Sequence, residues 1–120
     1  MNLTINQEYL LQLQDDTTQV FIEWFTTENT FYIIKGTVIG LTEGIDEIIV
    51  AEVDLMCFHN GTNLIIMREI INVNKTTGFN SSDITLDITD GVIGIYCTGL
   101  NETITDWDAN FSFLKNGSPF

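Results

Sequence analysis

The sequence predicts an all-β protein, a single antiparallel β-sandwich or jelly roll of about eight strands. Three observations lead to this prediction. Short runs rich in β-branched and aromatic residues follow one another, Gly, Asn and Asp separate them, and no apolar stripe with helical spacing persists for three turns. A chain of 120 residues has the length of one domain, so residues 1–120 are expected to form a single β-domain around one core.

Each candidate strand lies between residues that favour turns. In chain order the candidate strands are 9–13, 18–25, 30–39, 47–58, 63–73, 83–89, 92–98 and 103–114. Their number and short spacing are typical of sandwiches, jelly rolls and small barrels.

The segment 20–34 carries large apolar side chains on both faces of its two candidate strands. Two interpretations are open, because a second apolar face is covered either by the protein's own chain or by another copy of the protein. Under the second interpretation, the candidate oligomer or partner contacts are Phe21, Phe25, Tyr32 and Ile34.

The fourth and fifth candidate strands are predicted to form a hairpin with a two-residue turn at 60–61, an Asn-Gly pair that favours a primed turn. Counting outward from that turn places Ala51 opposite Ile70 on the core face. On the other face, the same count sets Glu52 opposite Glu69, which is an unfavourable like-charge pair. We therefore expect a bulge or a cation to interrupt this ladder.

A second hairpin is predicted at the Asp-Gly turn of residues 90–91. Counting outward from this turn gives three apolar cross-strand pairs on one face, which are Ile88–Ile93, Leu86–Ile95 and Ile84–Cys97. The other face of the hairpin is more polar, so we expect the three apolar pairs to face the core.

The last candidate strand alternates between apolar and polar residues. Trp107 shares one face with Ala109 and Phe111, whereas Asp106 and Asp108 lie on the other face. Trp107 is therefore expected to be buried in the core, and not to form an exposed platform for a ligand.

The charge balance excludes two classes of partner. Lys and Arg number 4 against 17 Asp and Glu, which gives a formal net charge of -13. Because this charge repels phosphate backbones and anionic lipid headgroups, neither nucleic acid nor a membrane is an expected partner. The sequence shows no apolar run of membrane-spanning length and no secretory leader, so we expect a soluble chain that is not exported.

The residue sets that catalysis and metal binding require are missing from the sequence. His59 is the only histidine, and both Cys57 and Cys97 lie on predicted core faces, where thiols are usually inert. The carboxylates are scattered over turns without a calcium-loop motif, and the glycine-rich segment 35–44 lacks the features of a phosphate loop. We expect no enzymatic activity, no cofactor and no metal.

Two other hypotheses remain open at this point. A carbohydrate-binding module would use Trp24, Tyr32 or Tyr96 to stack on a sugar, with loop carboxylates as hydrogen-bond acceptors or Ca²⁺ ligands. A secreted glycoprotein would explain the repeated Asn-x-Ser/Thr triplets, although a composition rich in Asn and Thr explains them better.

Two parts of the sequence have a recognisable pattern. The apolar strand VIGIYCTG at 92–99 and the strand TITDWDA at 103–109 resemble the closing segment of small β-domains of tailed-bacteriophage virion proteins. The run KGTVIG at 35–40, followed by the strand at 51–58 and an Asn-Gly turn, resembles their opening segment. Together the resemblance covers residues 35–113.

The resemblance implies a function without catalytic residues. Domains of this kind occur in tail fibres, head fibres and capsid auxiliary proteins, including those of crAss-like phages, and commonly assemble as homotrimers. It therefore implies a virion structural protein, assembled in the host cytoplasm, that contacts copies of itself and the major capsid protein or other virion proteins. Residues 1–34 lie outside the resemblance and are expected to provide attachment or trimer contacts. The alternative within this family is a receptor-binding, carbohydrate-binding module of a tail fibre.

Overall fold

The computed structural model describes residues 2–44 and 46–117, which form two antiparallel sheets and no α-helix. The strands are β1 (Asn2–Leu13), β2 (Thr18–Phe25), β3 (Thr30–Thr42), β4 (Ile48–His59), β5 (Leu64–Lys75), β6 (Ile84–Thr89), β7 (Val92–Thr98) and β8 (Thr105–Gly117). A large sheet has the order β1-β8-β3-β4-β5, and a small sheet has the order β2-β7-β6. The predicted all-β fold with eight strands is confirmed. None of the helical structure in the described ranges, which is one 3₁₀ turn at Thr77–Phe79, is long enough to span a membrane.

The core lies between the two sheets. Trp107 is 1% exposed and packs edge-on against Phe79, which confirms the prediction that Trp107 is buried. The ring of Trp107 also lies over Gly40, where an added Cβ would approach within 2.6 Å of Cζ3. Gly36 leaves similar space for the ring of Phe111. The two glycines of β3 thus allow aromatic rings from the neighbouring strand β8 to cross over β3 within the core.

The predicted strand boundaries are accurate where turn residues stand on both sides, as at β2 and β7. The largest difference is at β1, which was expected at 9–13 and in fact begins at Asn2. Its early part pairs with β8 throughout, from Asn2 opposite Asn116 onward. The pairing partner is more than 100 residues away, so the local pattern of 2–8 gave no sign of this extension.

The second predicted hairpin is confirmed in full, with Ile88 opposite Ile93 and Ile84 opposite Cys97. The first hairpin was predicted with the wrong turn. Its loop spans four residues, 60–63, because the Asn60 side-chain oxygen accepts hydrogen bonds from the Thr62 and Asn63 amides at 2.9 and 2.8 Å.

A β-bulge follows that loop, as the expected like-charge clash suggested. Between the pairs Cys57–Ile66 and Met56–Arg68, the β5 strand contains one additional residue, Met67. The extra residue exchanges the two faces of β5 beyond the bulge.

The bulge corrects two predicted pairs. Ala51 lies opposite Val73, and Ile70 lies opposite Asp54, where its side chain is 44% exposed. The prediction that Ile70 lies in the core was therefore wrong. Glu52 lies opposite Asn72, so the expected pair of like charges does not form.

Candidate interaction surface

The outer face of the large sheet carries apolar side chains on β3, β4 and β5, whereas on β8 it is mainly polar. In the central strand β3, Tyr32, Ile34 and Val38 point into the core, while the residues between them point away from it. Within residues 2–44 and 46–117 the two sheets are the only layers, so nothing in this part of the chain covers that outer face. An exposed apolar surface of this kind commonly marks a contact with another molecule.

The apolar side chains of this face gather at the end where β4 turns into β5, and we name them the turn-end patch. Strand register aligns them in rows, since Phe31 lies opposite Phe58 and Phe58 lies opposite Ile65. Ile65 and Ile70 are 45% and 44% exposed, and the other patch residues are half-buried. The turn-end patch consists of Phe31, Ile33, Met56, Phe58, Ile65, Ile70 and Leu114.

A smaller apolar group occupies the other end of the same outer face, and we name it the far-end group. It consists of Ile39, Leu41, Ile48 and Val50, and Leu10 of β1, which is 72% exposed, lies beside it on the far side of Asp108. On β8, Asp108 lies opposite Ile39 and Asp106 lies opposite Leu41. The far-end group is thus bordered by carboxylates. The polar residues Thr37, Glu52 and Asn72 separate it from the turn-end patch.

Two cations and one carboxylate border the turn-end patch. Lys35 and Ile70 flank Asp54 on the neighbouring strands, and Arg68 approaches Asp54 with 3.4 Å between Nη1 and Oδ2. The second carboxylate oxygen of Asp54 is buried without a hydrogen-bond partner in the described residues. A depression of about 460 Å³ opens beside these groups, and its lining includes Lys35, Asp54 and a second carboxylate, that of Glu52.

The four residues predicted as partner contacts are divided between the core and the surface. Tyr32 and Ile34 are 1% and 0% exposed, so assigning them to the outer face was wrong. Phe21 is half-buried at a β2 bulge and packs against the core, whereas Phe25 is 74% exposed on the small sheet. Whether Phe21 or Phe25 contacts a partner stays a prediction.

The outer-face residues that the sequence analysis missed are the neighbours of those two buried residues. Phe31 and Ile33 alternate with Tyr32 and Ile34 in β3, and a run of four large apolar residues does not by itself tell which pair points inward. The next strand contained a usable signal. Its outer positions are polar at Glu52 and Asp54 but apolar at Met56 and Phe58, which indicates an apolar area on the outer face.

Both cysteines are buried in the core, and the histidine lies beside the loop between β4 and β5. Burial raises the pKa of the Cys57 thiol to about 11 and that of the Cys97 thiol to about 12, so both thiols are protonated at neutral pH. Half-buried His59 borders a cleft of about 440 Å³, and its Nδ1 accepts a hydrogen bond from the Gly61 amide at 3.0 Å. This hydrogen bond gives His59 a role in shaping the turn.

Two of the loop carboxylates, Asp15 and Glu47, stabilise local structure. Asp15 accepts hydrogen bonds from the hydroxyl and the amide of Thr17, and chiefly the hydroxyl bond lowers the pKa of Asp15. Glu47 accepts hydrogen bonds from the Thr76 hydroxyl and the Gly78 amide, which fastens the 3₁₀ turn to the start of β4. Across the described ranges, no three acidic, histidine or cysteine side chains are grouped as a metal site requires.

The three aromatic residues considered for sugar stacking differ in position. Tyr32 is buried, and Trp24 packs edge-on against Phe111 with ring centroids 5.1 Å apart. Only Tyr96 lies on an outer face, that of the small sheet, where its ring leans over Gly94.

No family model and no curated protein matches the chain. Among solved structures, the chain is similar to the tailspike protein of Acinetobacter baumannii phage AM24. The superposition has a TM-score of 0.47 at 9% sequence identity and covers 98% of this chain and 26% of that chain. The chain thus matches one part of a much longer protein, and a likeness of this degree assigns no function.

Proposed function

We propose that the protein is a non-enzymatic structural subunit of a bacteriophage virion, a capsid decoration protein or a head-fibre subunit, that assembles as a homotrimer. The proposal combines the sequence resemblance over residues 35–113 with one structural observation. The large sheet carries two apolar groups on its outer face, although a two-layer sandwich needs only one apolar face per sheet. A subunit that is buried in an assembly is the simplest reason for the second apolar face.

The proposal also places the segment 1–34 in a definite position. Its first two strands, β1 and β2, are edge strands of the large and the small sheet, and they contact each other along one side of the sandwich. Attachment to the virion surface is assigned to this side, because edge strands and the loop between them are available to the major capsid protein or another virion protein.

The decisive experiment is binding to empty capsid shells of the phage that encodes the protein. Purified protein is mixed with shells that lack it, and the shells are sedimented. We expect saturable co-sedimentation at a fixed number of copies per shell, and a native mass of three chains for the free protein. A protein that stays in the supernatant with shells and with isolated tails and fibres would contradict a structural role in the virion.

The alternative function is a carbohydrate-binding module, and the position of Tyr96 is the observation that favours it. Glu23 and Asp87 lie opposite Gly94 on the two neighbouring strands, so two carboxylates flank the ring of Tyr96. Sugars are commonly bound by an aromatic ring with acceptor groups beside it. Binding on a glycan array that is lost in Tyr96→Ala would support this alternative, and loss of binding with EDTA would add a Ca²⁺ ion to the site.

A further inference from the structure

The turn-end patch differs in charge from the rest of the molecule. Of the four cations in the chain, Lys35 and Arg68 border this patch, and Lys75 donates a hydrogen bond to the Ser82 carbonyl at 2.6 Å on another part of the surface. Only one carboxylate, that of Asp54, lies between Lys35 and Arg68. Glu52 lines the same depression as Lys35 and Asp54, so two cations stand against two carboxylates and the border is close to neutral in a chain with a net charge of -13.

This distribution of charge determines through which surface two copies can approach each other with the least electrostatic repulsion. Contact through most other surfaces brings carboxylates together, and the far-end group is an example, because Asp106 and Asp108 border it. Repulsion between like charges at close range opposes such contacts. Around the turn-end patch, Lys35 and Arg68 offset the carboxylates of Asp54 and Glu52, so a second acidic copy meets less repulsion there.

The border of the patch also carries both signs of charge, which makes it complementary to itself. The ion pair between Arg68 and Asp54 is a single contact of 3.4 Å, with the two side chains 46% and 29% exposed. An exposed pair of this kind contributes little within one chain. In a symmetric assembly each Arg68 can approach Asp54 of a neighbouring copy, and every such contact is repeated by the symmetry.

The patch is smaller than a whole interface and corresponds in size to an apolar centre. It covers four strands at a spacing of about 4.8 Å and about five residues along them at about 3.3 Å each, which corresponds to roughly 300 Å². A standard interface buries about 800 Å² per partner, with an apolar centre and a polar rim. The patch would supply the apolar centre, and Lys35, Asp54 and Arg68 would belong to the rim.

We propose that the turn-end patch is buried against the same patch of neighbouring copies of this chain. The inference rests on the self-assembly in the proposed function and names the surface that carries it. Three copies around a three-fold axis meet in this way if the assembly is a trimer, and two copies meet face to face if it is a dimer.

The test compares two matched substitutions on the same outer face. Ile65→Lys changes a residue of the turn-end patch, and Ile48→Lys changes a residue of the far-end group. The two isoleucines are similarly exposed, at 45% and 38%, and each substitution adds one positive charge. Sedimentation velocity at about 50 µM chain should show an oligomer for the wild type and for Ile48→Lys, and a monomer for Ile65→Lys. Circular dichroism melting checks that all three proteins are folded. A monomeric wild type, or an oligomer that survives both Ile65→Lys and Ile70→Lys, would overturn the proposal.

A mixing experiment separates contact between like patches from contact between the patch and a different surface. Fluorescently labelled Ile65→Lys is mixed with unlabelled wild type. If the patch binds the same patch of another copy, the labelled variant stays monomeric. If the wild-type patch binds a different surface, that surface is still intact on the variant, and the variant enters the oligomer. The second result would refute the proposal. Shell binding is measured separately, so a monomeric wild type that binds shells would refute this inference and leave the proposed virion role standing.

Discussion

Trp107 shows how one residue connects the sequence pattern to stability. Its ring is 1% exposed between Phe79 and the backbone of Gly40. We expect Trp107→Ala to lower the free energy of unfolding by about 3–5 kcal/mol, through lost burial and the cavity that remains. Thermal melting monitored by circular dichroism measures this, with Phe25→Ala as the control because Phe25 is 74% exposed. A melting temperature within a few degrees of wild type would contradict the assignment of Trp107 to the core.

The two cysteines give a prediction about pH. Since burial raises the thiol pKa values to about 11 and 12, native protein at pH 8 should react far more slowly with a thiol reagent than unfolded protein, in which both thiols are accessible. The unfolded thiols ionise near their ordinary pKa of about 9. Their contribution to stability should therefore be constant below that pH and should decrease as the pH rises from about 9 to 11. Rapid labelling of the native protein at pH 8 would show that the thiols are exposed.

At the residue scale, the sequence predicts burial well where apolar and polar residues alternate. Trp107 was assigned correctly because Asp106 and Asp108 mark the opposite face. Tyr32 and Ile34 were assigned to the wrong face because their neighbours are equally apolar, and only the pairing of β3 between β8 and β4 determines which side faces the small sheet.

The contact between β3 and β8 depends on the absence of a side chain at Gly36. An added Cβ there would overlap the Phe111 ring and the Asn110 carbonyl oxygen, which belongs to the backbone and cannot rotate away. Gly→Ala usually stabilises a protein slightly through the unfolded chain, but here overpacking should dominate and cost about 1–3 kcal/mol. Urea unfolding of Gly36→Ala measures the loss, and Thr37→Ala, on the outer face, is the control. Equal midpoints for Gly36→Ala and wild type would mean that the two strands separate easily.

At the scale of elements, the two hairpins show what local sequence can determine. Residues 90–91 form a tight turn, so simple counting yielded every pair between β6 and β7. In the other hairpin, the Asn60 side chain organises a four-residue loop, and Met67 adds a bulge. The longer loop and the bulge therefore shifted the register between β4 and β5. The clash between Glu52 and Glu69 was the one sign in the sequence that the ladder could not be regular.

At the scale of the whole molecule, net charge and apolar surface oppose each other during assembly. Copies with a net charge of -13 repel one another at a distance, and the Debye length falls from about 30 Å at 0.01 M salt to about 8 Å at 0.15 M. If the turn-end patch provides the main attraction, association should strengthen by several-fold as salt rises through this range. Sedimentation equilibrium at several salt concentrations measures the change. Association that weakens with salt would assign the main attraction to ion pairs such as those of Arg68.

The position of β8 in the large sheet has a consequence for synthesis in the cell. β8 is the last strand of the sandwich to leave the ribosome, yet it lies between β1, which is made first, and β3. Until residues 105–117 emerge, β1 lacks its partner, and the edge of β3 that receives β8 stays open. The nascent chain therefore presents two unpaired strand edges beside an incomplete core, a state that favours aggregation and binding by chaperones. Since this pairing also closes a loop of more than 100 residues at its far end, completion of the large sheet is expected to be the slow step of folding.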